Sequence, residues 1–222
     1  MVRLLAVLVL AGFLTGSQGA TLVTGIPTSG PISRKDTVGF AFSVGSQSLS
    51  VDFIGVYDAY SDGLRERNRV GIWDGGGNLL TSVYLPKGTV ASLSGSYRWV
   101  SAPTGVLLQA NNNYYIGAFA IHEWGESFGG VPEDRLMGPI SLNAEVTLIG
   151  MAASQDDTAF RLPNGILPNH PSSAGQGIIG PNISYTAVPE PSSLSLLLAG
   201  GAVALARRRN RQKPISLKVL TP

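Results

Sequence analysis

Apolar residues alternate with small or polar ones at the start of the chain's central region. One set of alternate positions from 37 to 44 is apolar, and the other set is small or polar: Val38, Phe40, Phe42 and Val44 against Thr37, Gly39, Ala41 and Ser43. Residues two apart on a strand share a face, so the pattern predicts a strand with one buried face. The next run keeps this period through Leu49, Val51 and Phe53 and then slips to Ile54 and Val56. That slip predicts a β-bulge or a strand buried on both faces.

Further short apolar runs have the same strand-like character, and none has a helical stripe of three or more turns. They cover residues 69–74, 78–86, 97–101, 105–109, 113–121, 144–152 and 177–188. Turn-forming sequences separate them, among them "DGGGN" at 74–78, which predicts a tight hairpin or a bulged loop. Such spacing predicts an all-β single domain, an antiparallel β-sandwich or jelly-roll-like fold. Its expected core includes Phe40, Phe42, Val51, Phe53, Val70, Ile72, Trp99, Tyr115 and Ile116.

The N-terminus has the three parts of a secretory signal peptide. Arg3 gives the positive start, an apolar run extends from Leu4 to Leu14, and small residues follow. Signal peptidase is therefore an expected partner. Cleavage after Gly19 places small residues at both sites that the peptidase reads, and cleavage after Ala20 is the near alternative. We assign residues 1–19 to the signal peptide.

The positive net charge of the chain belongs to its ends. The 222 residues contain 16 Lys and Arg against 14 Asp and Glu, but seven of the basic residues lie in the signal and the tail. Between residues 20 and 189, nine basic residues face thirteen acidic ones, a net of about −4. A basic face for nucleic acid is absent from this segment. The chain has no cysteine, so disulfides and thiolate chemistry are excluded.

Two long polar stretches, 122–139 and 161–177, are expected to be surface loops. The first begins His122-Glu123-Trp124-Gly125-Glu126, which starts like the zinc motif H-E-x-x-H. Glu126 replaces the second histidine and Gly125 disfavours the helix, so a solvated loop is the better interpretation. The chain has two histidines, His122 and His170, and both lie in these expected loops, where they offer no general base fixed on a strand or helix. We therefore expect no enzymatic activity, and the alternative is a glycan-active hydrolase using Glu123 or Glu126.

Three other features suggest binding. Aromatic residues could form a sugar-stacking platform or fill the core: Tyr57, Tyr60, Trp73, Tyr97, Trp99, Tyr114 and Trp124. We expect Trp73 or Trp124 to be exposed beside a groove if the body binds carbohydrate, with Glu123 and Glu126 as further ligand candidates. Asp58 and Asp62 in "DAYSDG" are candidate ligands of a structural Ca²⁺, and an ordinary turn is the alternative. Asn182 in "NIS" matches the N-glycosylation pattern.

The C-terminal segment contains a stiff hinge, a short apolar run and an arginine cluster. Pro189, Glu190 and Pro191 form the hinge, because proline fixes its own φ and restricts the residue before it. The apolar run 194–206 gives a helix of about 20 Å, shorter than the roughly 30 Å hydrocarbon core. Arg207, Arg208, Arg209 and Arg211 would hold the end in the cytoplasm. The segment is a marginal stop-transfer sequence.

This order of parts, beginning with "VPEP" at 188–191, closely resembles the PEP-CTERM sorting signal. The resemblance implies that exosortase, a membrane enzyme of bacteria that make extracellular polysaccharide, processes the chain at or near Pro189-Glu190-Pro191. It assigns residues 189–211 to the signal and 212–222 to a cytoplasmic tail, which is longer than the family's usual ending. The body, residues 20–188, is similar to β-sandwich domains of unknown function that accompany this signal, through its "WD" and "YYIG" strands.

Together these features predict an exported, non-enzymatic protein of the cell surface or extracellular matrix. It would be anchored transiently in the inner membrane by its C-terminal helix and then released, in association with extracellular polysaccharide. A carbohydrate-binding module is the first alternative and the hydrolase is the second. No cofactor is expected apart from the Ca²⁺ candidate.

Overall fold

The computed structural model describes residues 19–25, 36–121, 136–154, 159–163 and 176–188. The chain divides into a body that ends at Val188 and a unit over Pro189–Pro222. The signal-peptide core, the loop with Glu123, Trp124 and Glu126, and the sorting segment therefore lie outside the described residues. In the described part, the secondary structure is entirely strands, and no helix there is long and apolar enough to cross a membrane.

The strands form two main antiparallel sheets. Sheet A has the order β1 (Ala20–Thr21), β15 (Pro181–Val188), β4 (Ser48–Tyr57), β8 (Tyr97–Ser101) and β7 (Ser92–Ser94), and β9 (Leu107–Leu108) also pairs with β4. Sheet B has the order β13 (Val146–Ala153), β3 (Val38–Val44), β10 (Asn113–Ile121), β5 (Arg67–Asp74) and β6 (Leu79–Leu85). Two small ladders join β2 (Val23–Gly25) to β12 (Ser141–Leu142), and β11 (Leu136–Pro139) to β14 (Gln176–Ile179).

The core lies between the two sheets, as the sequence predicts for a β-sandwich. Alternate residues of the central strands are fully buried and belong to one apolar cluster: Phe40, Phe42, Val70, Ile72 and Ile116 from sheet B, and Leu49, Val51, Ile54, Val56, Ile183 and Tyr185 from sheet A. Alternation buries one side chain in two from each strand, so both sheets contribute to one apolar layer. The predicted all-β sandwich is confirmed.

Strand β4 contains the predicted bulge, but one step earlier than the apolar pattern suggests. Tyr185 pairs with Val51 and Ser184 pairs with Phe53, which leaves Asp52 as the extra residue. A bulge reverses the side of every residue after it. Phe53 is therefore 45% exposed, and its predicted place in the core is wrong. Trp99 and Tyr115, also predicted as core residues, are only half-buried.

Strand β3 is buried on both faces over most of its length, so the predicted single buried face is wrong. Thr37, Gly39 and Ala41, which alternate with the core residues, are buried as well. Their side of sheet B is covered by the segment 159–163, where the backbone N–H of Arg161 donates to Thr37 Oγ1 at 3.1 Å. This cover comes from 124 residues away, and local alternation carries no trace of it.

Candidate functional site

An open cleft of about 830 Å³ lies on the side of sheet A that faces away from the core. Its apolar surface comes mainly from Phe53 and Trp99, and hydroxyl groups and backbone surround them. The lining residues are Gly19, Thr21, Val23, Thr24, Phe53, Ser92, Ser94, Gly95, Ser96, Tyr97, Trp99, Asn182 and Ser184. The volume is within the roughly 300–1,000 Å³ typical of small-molecule sites. We call this feature the sheet A cleft.

Two local features of β4 build the apolar surface of the cleft. The bulge at Asp52 turns Phe53 outward, and Gly55 leaves room for the indole of its cross-strand partner Trp99. A methyl group on Gly55 would lie only 2.6 Å from Trp99 Cε3, so the indole rests directly on the strand. Trp99 Nε1 donates to the carbonyl oxygen of Ser94 at 3.1 Å, which fixes the ring. The platform is therefore preorganised.

The N-terminal strand forms one wall of the cleft. Thr21 of β1 pairs with Ser184 of β15, and the next residues are held by the amide of Asn182. Asn182 Oδ1 accepts from the N–H of Val23 at 2.9 Å, and Nδ2 donates to its carbonyl at 3.2 Å. Asn182 is completely buried, so the glycosylation acceptor predicted at this position is not accessible in the folded body. It is a structural amide.

The two residues of the predicted signal cleavage site lie at the start of this wall. Gly19 lines the cleft, and Ala20 begins β1 opposite Tyr185. Cleavage after Gly19 keeps all of β1, whereas cleavage after Ala20 removes half of this two-residue strand. The position of the cut stays a prediction, and the pairing of Ala20 favours the cut after Gly19.

Trp73 does not have the exposure that a stacking role requires, so that part of the prediction is wrong. Its side chain is buried on the outer side of sheet B beneath Phe160, with the two ring centroids 5.1 Å apart. Gly71 makes room for both rings, because a methyl group there would lie 2.5 Å from Phe160 Cζ. The other predicted ligand residues, Glu123, Trp124 and Glu126, lie outside the described part of the chain.

Asp58 is the ion-pair partner of Arg98, not an open calcium ligand. Asp58 Oδ2 accepts from Arg98 Nε at 2.8 Å and from the backbone N–H of Gly63 at 3.1 Å, with both charged side chains buried. Asp62, its predicted partner in a cation site, is exposed. Within the described ranges, no group of three or more His, Asp or Glu side chains could hold a metal ion. The positive charge that balances Asp58 in this loop is therefore the guanidinium of Arg98.

The predicted hairpin at 74–78 is confirmed and is held by Asp74. Both carboxylate oxygens of Asp74 accept hydrogen bonds from Asn78, which also donates through its backbone N–H at 2.9 Å. These hydrogen bonds lower the pKa of Asp74, and the bond from the Asn78 side chain has the largest effect. Gly77 has a φ of 87°, a value that favours glycine. The turn lines a second cleft of about 620 Å³ together with Leu80 and residues of the segment 107–114.

The body ends in a paired strand, with no intervening described loop before the sorting segment. Strand β15 runs to Val188, and its last two residues, Ala187 and Val188, pair with Leu49 and Ser48 of β4. Pro189 follows directly in the sequence. The start of the predicted signal is therefore joined to a strand inside sheet A.

These features define a β-sandwich protein with an aromatic cleft on one sheet and a sorting segment attached to a strand of the same sheet. Residues 187–211 match the family model described as the PEP-CTERM protein-sorting motif. The match includes Pro189, Glu190, Pro191 and the arginines 207–209, so the resemblance seen in the sequence is confirmed. The motif implies recognition by exosortase and export through membrane-associated sorting. Comparison with curated proteins gives no match.

The sequence did not single out Phe53 as a surface residue, and it left Trp99 between the core and a platform. The slip in the apolar pattern of β4 was the available signal, together with Gly55 in the same strand. Their meaning depends on which strand lies beside β4, and that strand is distant in sequence.

Proposed function

We propose that this protein is a non-enzymatic component of the cell surface or extracellular matrix that binds polysaccharide in the sheet A cleft. The observation that carries the proposal is that Phe53 and Trp99 both line one open surface whose other side chains include several hydroxyl groups. The sorting motif supports delivery to the compartment where such polymers occur.

The chemistry of the cleft suits a sugar chain. A pyranose ring has an apolar face that packs on aromatic rings, while its hydroxyl groups both donate and accept hydrogen bonds. The cleft offers the same two kinds of surface, with Thr21, Ser92 and Ser184 among its hydroxyl groups. Because Trp99 is fixed by Gly55 and Ser94, little side-chain entropy is lost when a ligand binds.

Binding is favoured over hydrolysis at this site. Glycosidases use two carboxyl groups placed on either side of the bond that they cleave. The described residues that line the sheet A cleft supply aromatic, hydroxyl and amide groups and no carboxylate. The alternative hydrolase would depend on Glu123 or Glu126. If a glycan-cleaving activity of the secreted protein were lost in the Glu123→Ala/Glu126→Ala variant, that alternative would replace the binding role.

The proposed route has three stages: export under the N-terminal signal, a transient anchor in the inner membrane, and release to the surface or matrix after exosortase acts. Intact-mass analysis of protein from the host's extracellular fraction measures both ends of the chain. We expect a start at Ala20 and loss of the arginine cluster. Recovery of the full-length chain only in the cytoplasm would contradict this route.

Polysaccharide binding is tested in a co-sedimentation assay with the processed protein, purified from the host's extracellular fraction, and the host's own extracellular polymer. We expect Phe53→Ser, Trp99→Ala and Gly55→Ala each to weaken binding at least tenfold, about 1.4 kcal/mol. Gly55→Ala acts by displacing the indole. Tyr60→Ala is the control, since Tyr60 is 69% exposed and lies away from the cleft lining. Wild-type protein that does not sediment with the polymer would refute the proposal.

A further inference from the structure

The sheet A cleft has an unusual charge pattern for a surface that meets bacterial polymers. Among the residues that the structure describes, no charged side chain lines it. At its edge, Asp52 Oδ2 lies beside Gly19 and accepts a hydrogen bond from Thr186 Oγ1 at 2.8 Å. The segment 20–189 as a whole carries a net charge of about −4. The uncharged side chains of the described lining and the net negative charge of the segment therefore both disfavour an anionic ligand.

The cations of the central strands are engaged away from this cleft. Arg98 is buried against Asp58, and Arg69 lies over the rings of Tyr84 and Phe160 on sheet B. Acidic sugars are usually held by Arg or Lys, because the fork of a guanidinium matches a carboxylate. None of the lining side chains can form such a pair.

We propose that the sheet A cleft selects neutral sugar chains and excludes uronic acid or sulfated polymers. The inference rests on the proposed polysaccharide function and names the class of its ligand. Phe53 and Trp99 pack on the apolar faces of the sugar, and the serine and threonine groups bond to uncharged hydroxyls.

The test uses the mature full-length protein and the host's polysaccharide, separated by anion exchange into neutral and acidic fractions. We expect binding to the neutral fraction at least tenfold tighter than to the acidic one, and loss of that binding in Phe53→Ser. In Ser184→Lys, which places a cation in the lining, binding to the acidic fraction should rise. Preference for the acidic fraction at 0.15 M salt would overturn the selectivity alone. Binding to neither fraction would overturn the proposed function as well.

A second, independent observation concerns how exosortase reaches its motif. The matched motif begins at residue 187, yet Ala187 and Val188 are paired with Leu49 and Ser48 in sheet A. Enzymes that process peptides commonly bind them as extended strands, using the same backbone groups that a sheet uses. A backbone edge already bonded to β4 cannot bond to an enzyme at the same time.

We infer that the last two residues of β15 must separate from β4 before exosortase processes the chain. The ends of strands open more readily than their centres. Val188 and Ser48 form the last pair between β15 and β4, and Val188 is 36% exposed. Folding of the body thereby limits the rate of its own sorting. The neutral-chain inference does not depend on this step.

The absence of cysteine makes this testable by a single engineered cross-link. Ser48 and Val188 are direct cross-strand partners, whose Cβ atoms stand about 4.5–5.5 Å apart in such pairs, close to disulfide range. In cells with exosortase, we expect Ser48→Cys/Val188→Cys to lose its C-terminal tag at least tenfold more slowly than wild type, with recovery on adding a reductant. The control Arg69→Cys/Tyr84→Cys joins partners in sheet B.

A second variant covers the case in which the cross-link does not form. Four residues, Gly-Ser-Gly-Ser, inserted between Val188 and Pro189 give the motif a free extended segment. We expect its tag to be lost at least twofold faster than that of wild type. Processing of the cross-linked protein at the wild-type rate, or no acceleration by the insertion, would overturn the inference.

Discussion

Replacing Arg98 by methionine should remove a large part of the stability of the body. Arg98 Nε donates to Asp58 Oδ2 at 2.8 Å, and its two terminal nitrogens donate to the carbonyl oxygens of Ser61, Thr89 and Ala91. The guanidinium thus ties the loop after β4 to the segment before β7. Methionine keeps an unbranched stem and removes the charge and every donor.

The magnitude follows from what remains in place. The Asp58 carboxylate is 1% exposed, and its second oxygen, Oδ1, has no hydrogen-bond partner, so no other group takes over the role of Arg98. Breaking a buried ion pair by removing one partner costs about 3–5 kcal/mol. The three carbonyls that lose their donors place Arg98→Met at the upper end of that range. The free energy of unfolding of a typical domain is only about 5–15 kcal/mol.

Urea unfolding of the mature protein, followed by far-UV circular dichroism, measures the effect. We expect the free energy of unfolding to fall by about 4–5 kcal/mol in Arg98→Met and by about 3 kcal/mol in Asp58→Asn, where Arg98 keeps its carbonyl partners. The control, Arg67→Met, removes an exposed cation that lies 5.3 Å from the Tyr84 ring and should cost at most about 1 kcal/mol.

The double variant Arg98→Met/Asp58→Leu separates charge burial from simple loss of packing. Because it leaves no charge stranded, it should be more stable than Arg98→Met alone. The reasoning is refuted if Arg98→Met costs no more than Arg67→Met, or if the double variant is less stable than either single one.

Three further outcomes follow from the structure. In Asn78→Ala, the pKa of Asp74 should rise toward its ordinary value of 3.8, and an NMR titration of the carboxyl group measures this rise. Because the native turn lowers the pKa of Asp74, the ionised carboxylate stabilises the fold above pH 4, and this stabilisation is lost as the pH falls. Burial of the Tyr185 hydroxyl, and next its interaction with Glu145, raise the pKa of Tyr185. The neutral phenol therefore stabilises the fold fully below pH 10, and this stabilisation is lost as the pH rises above 10. The unfolding midpoints at pH 8 and pH 11 should differ less in Tyr185→Phe than in wild type. Phe160→Ala should cost about 2 kcal/mol, below the ~3–5 of a fully buried phenylalanine, and should expose Trp73 to acrylamide quenching.

Local patterns were enough to identify most strands. The runs at 97–101 and 113–121 coincide with β8 and β10, because each is rich in aromatic and β-branched residues and begins at turn-forming residues. The apolar run at 177–188 predicts one strand, but the structure has two, which are divided at Gly180. The carbonyl oxygen of Gly180 accepts a hydrogen bond from the N–H of Tyr57. That partner is 123 positions away, so its effect is invisible locally.

The candidate site was less predictable than the fold. Trp73 and Trp99 are both strand tryptophans beside glycines, yet Phe160 covers the first and the second lies in the cleft. Side-chain type and spacing do not distinguish them. What differs is the segment that crosses each sheet, and such crossings are set by tertiary packing.

The sequence by itself determined the sorting of this protein, because a sorting signal is a linear order of hinge, apolar run and charge that needs no folded partner. It also determined the β-sandwich class, since alternation and turn chemistry act over a few residues. The tertiary structure decided which face of each sheet meets solvent. The register between β4 and β15 turns Phe53 outward. The loop that the sequence offers as a Ca²⁺ site is instead held by a buried ion pair between Asp58 and Arg98. Both depend on residues brought together from distant positions.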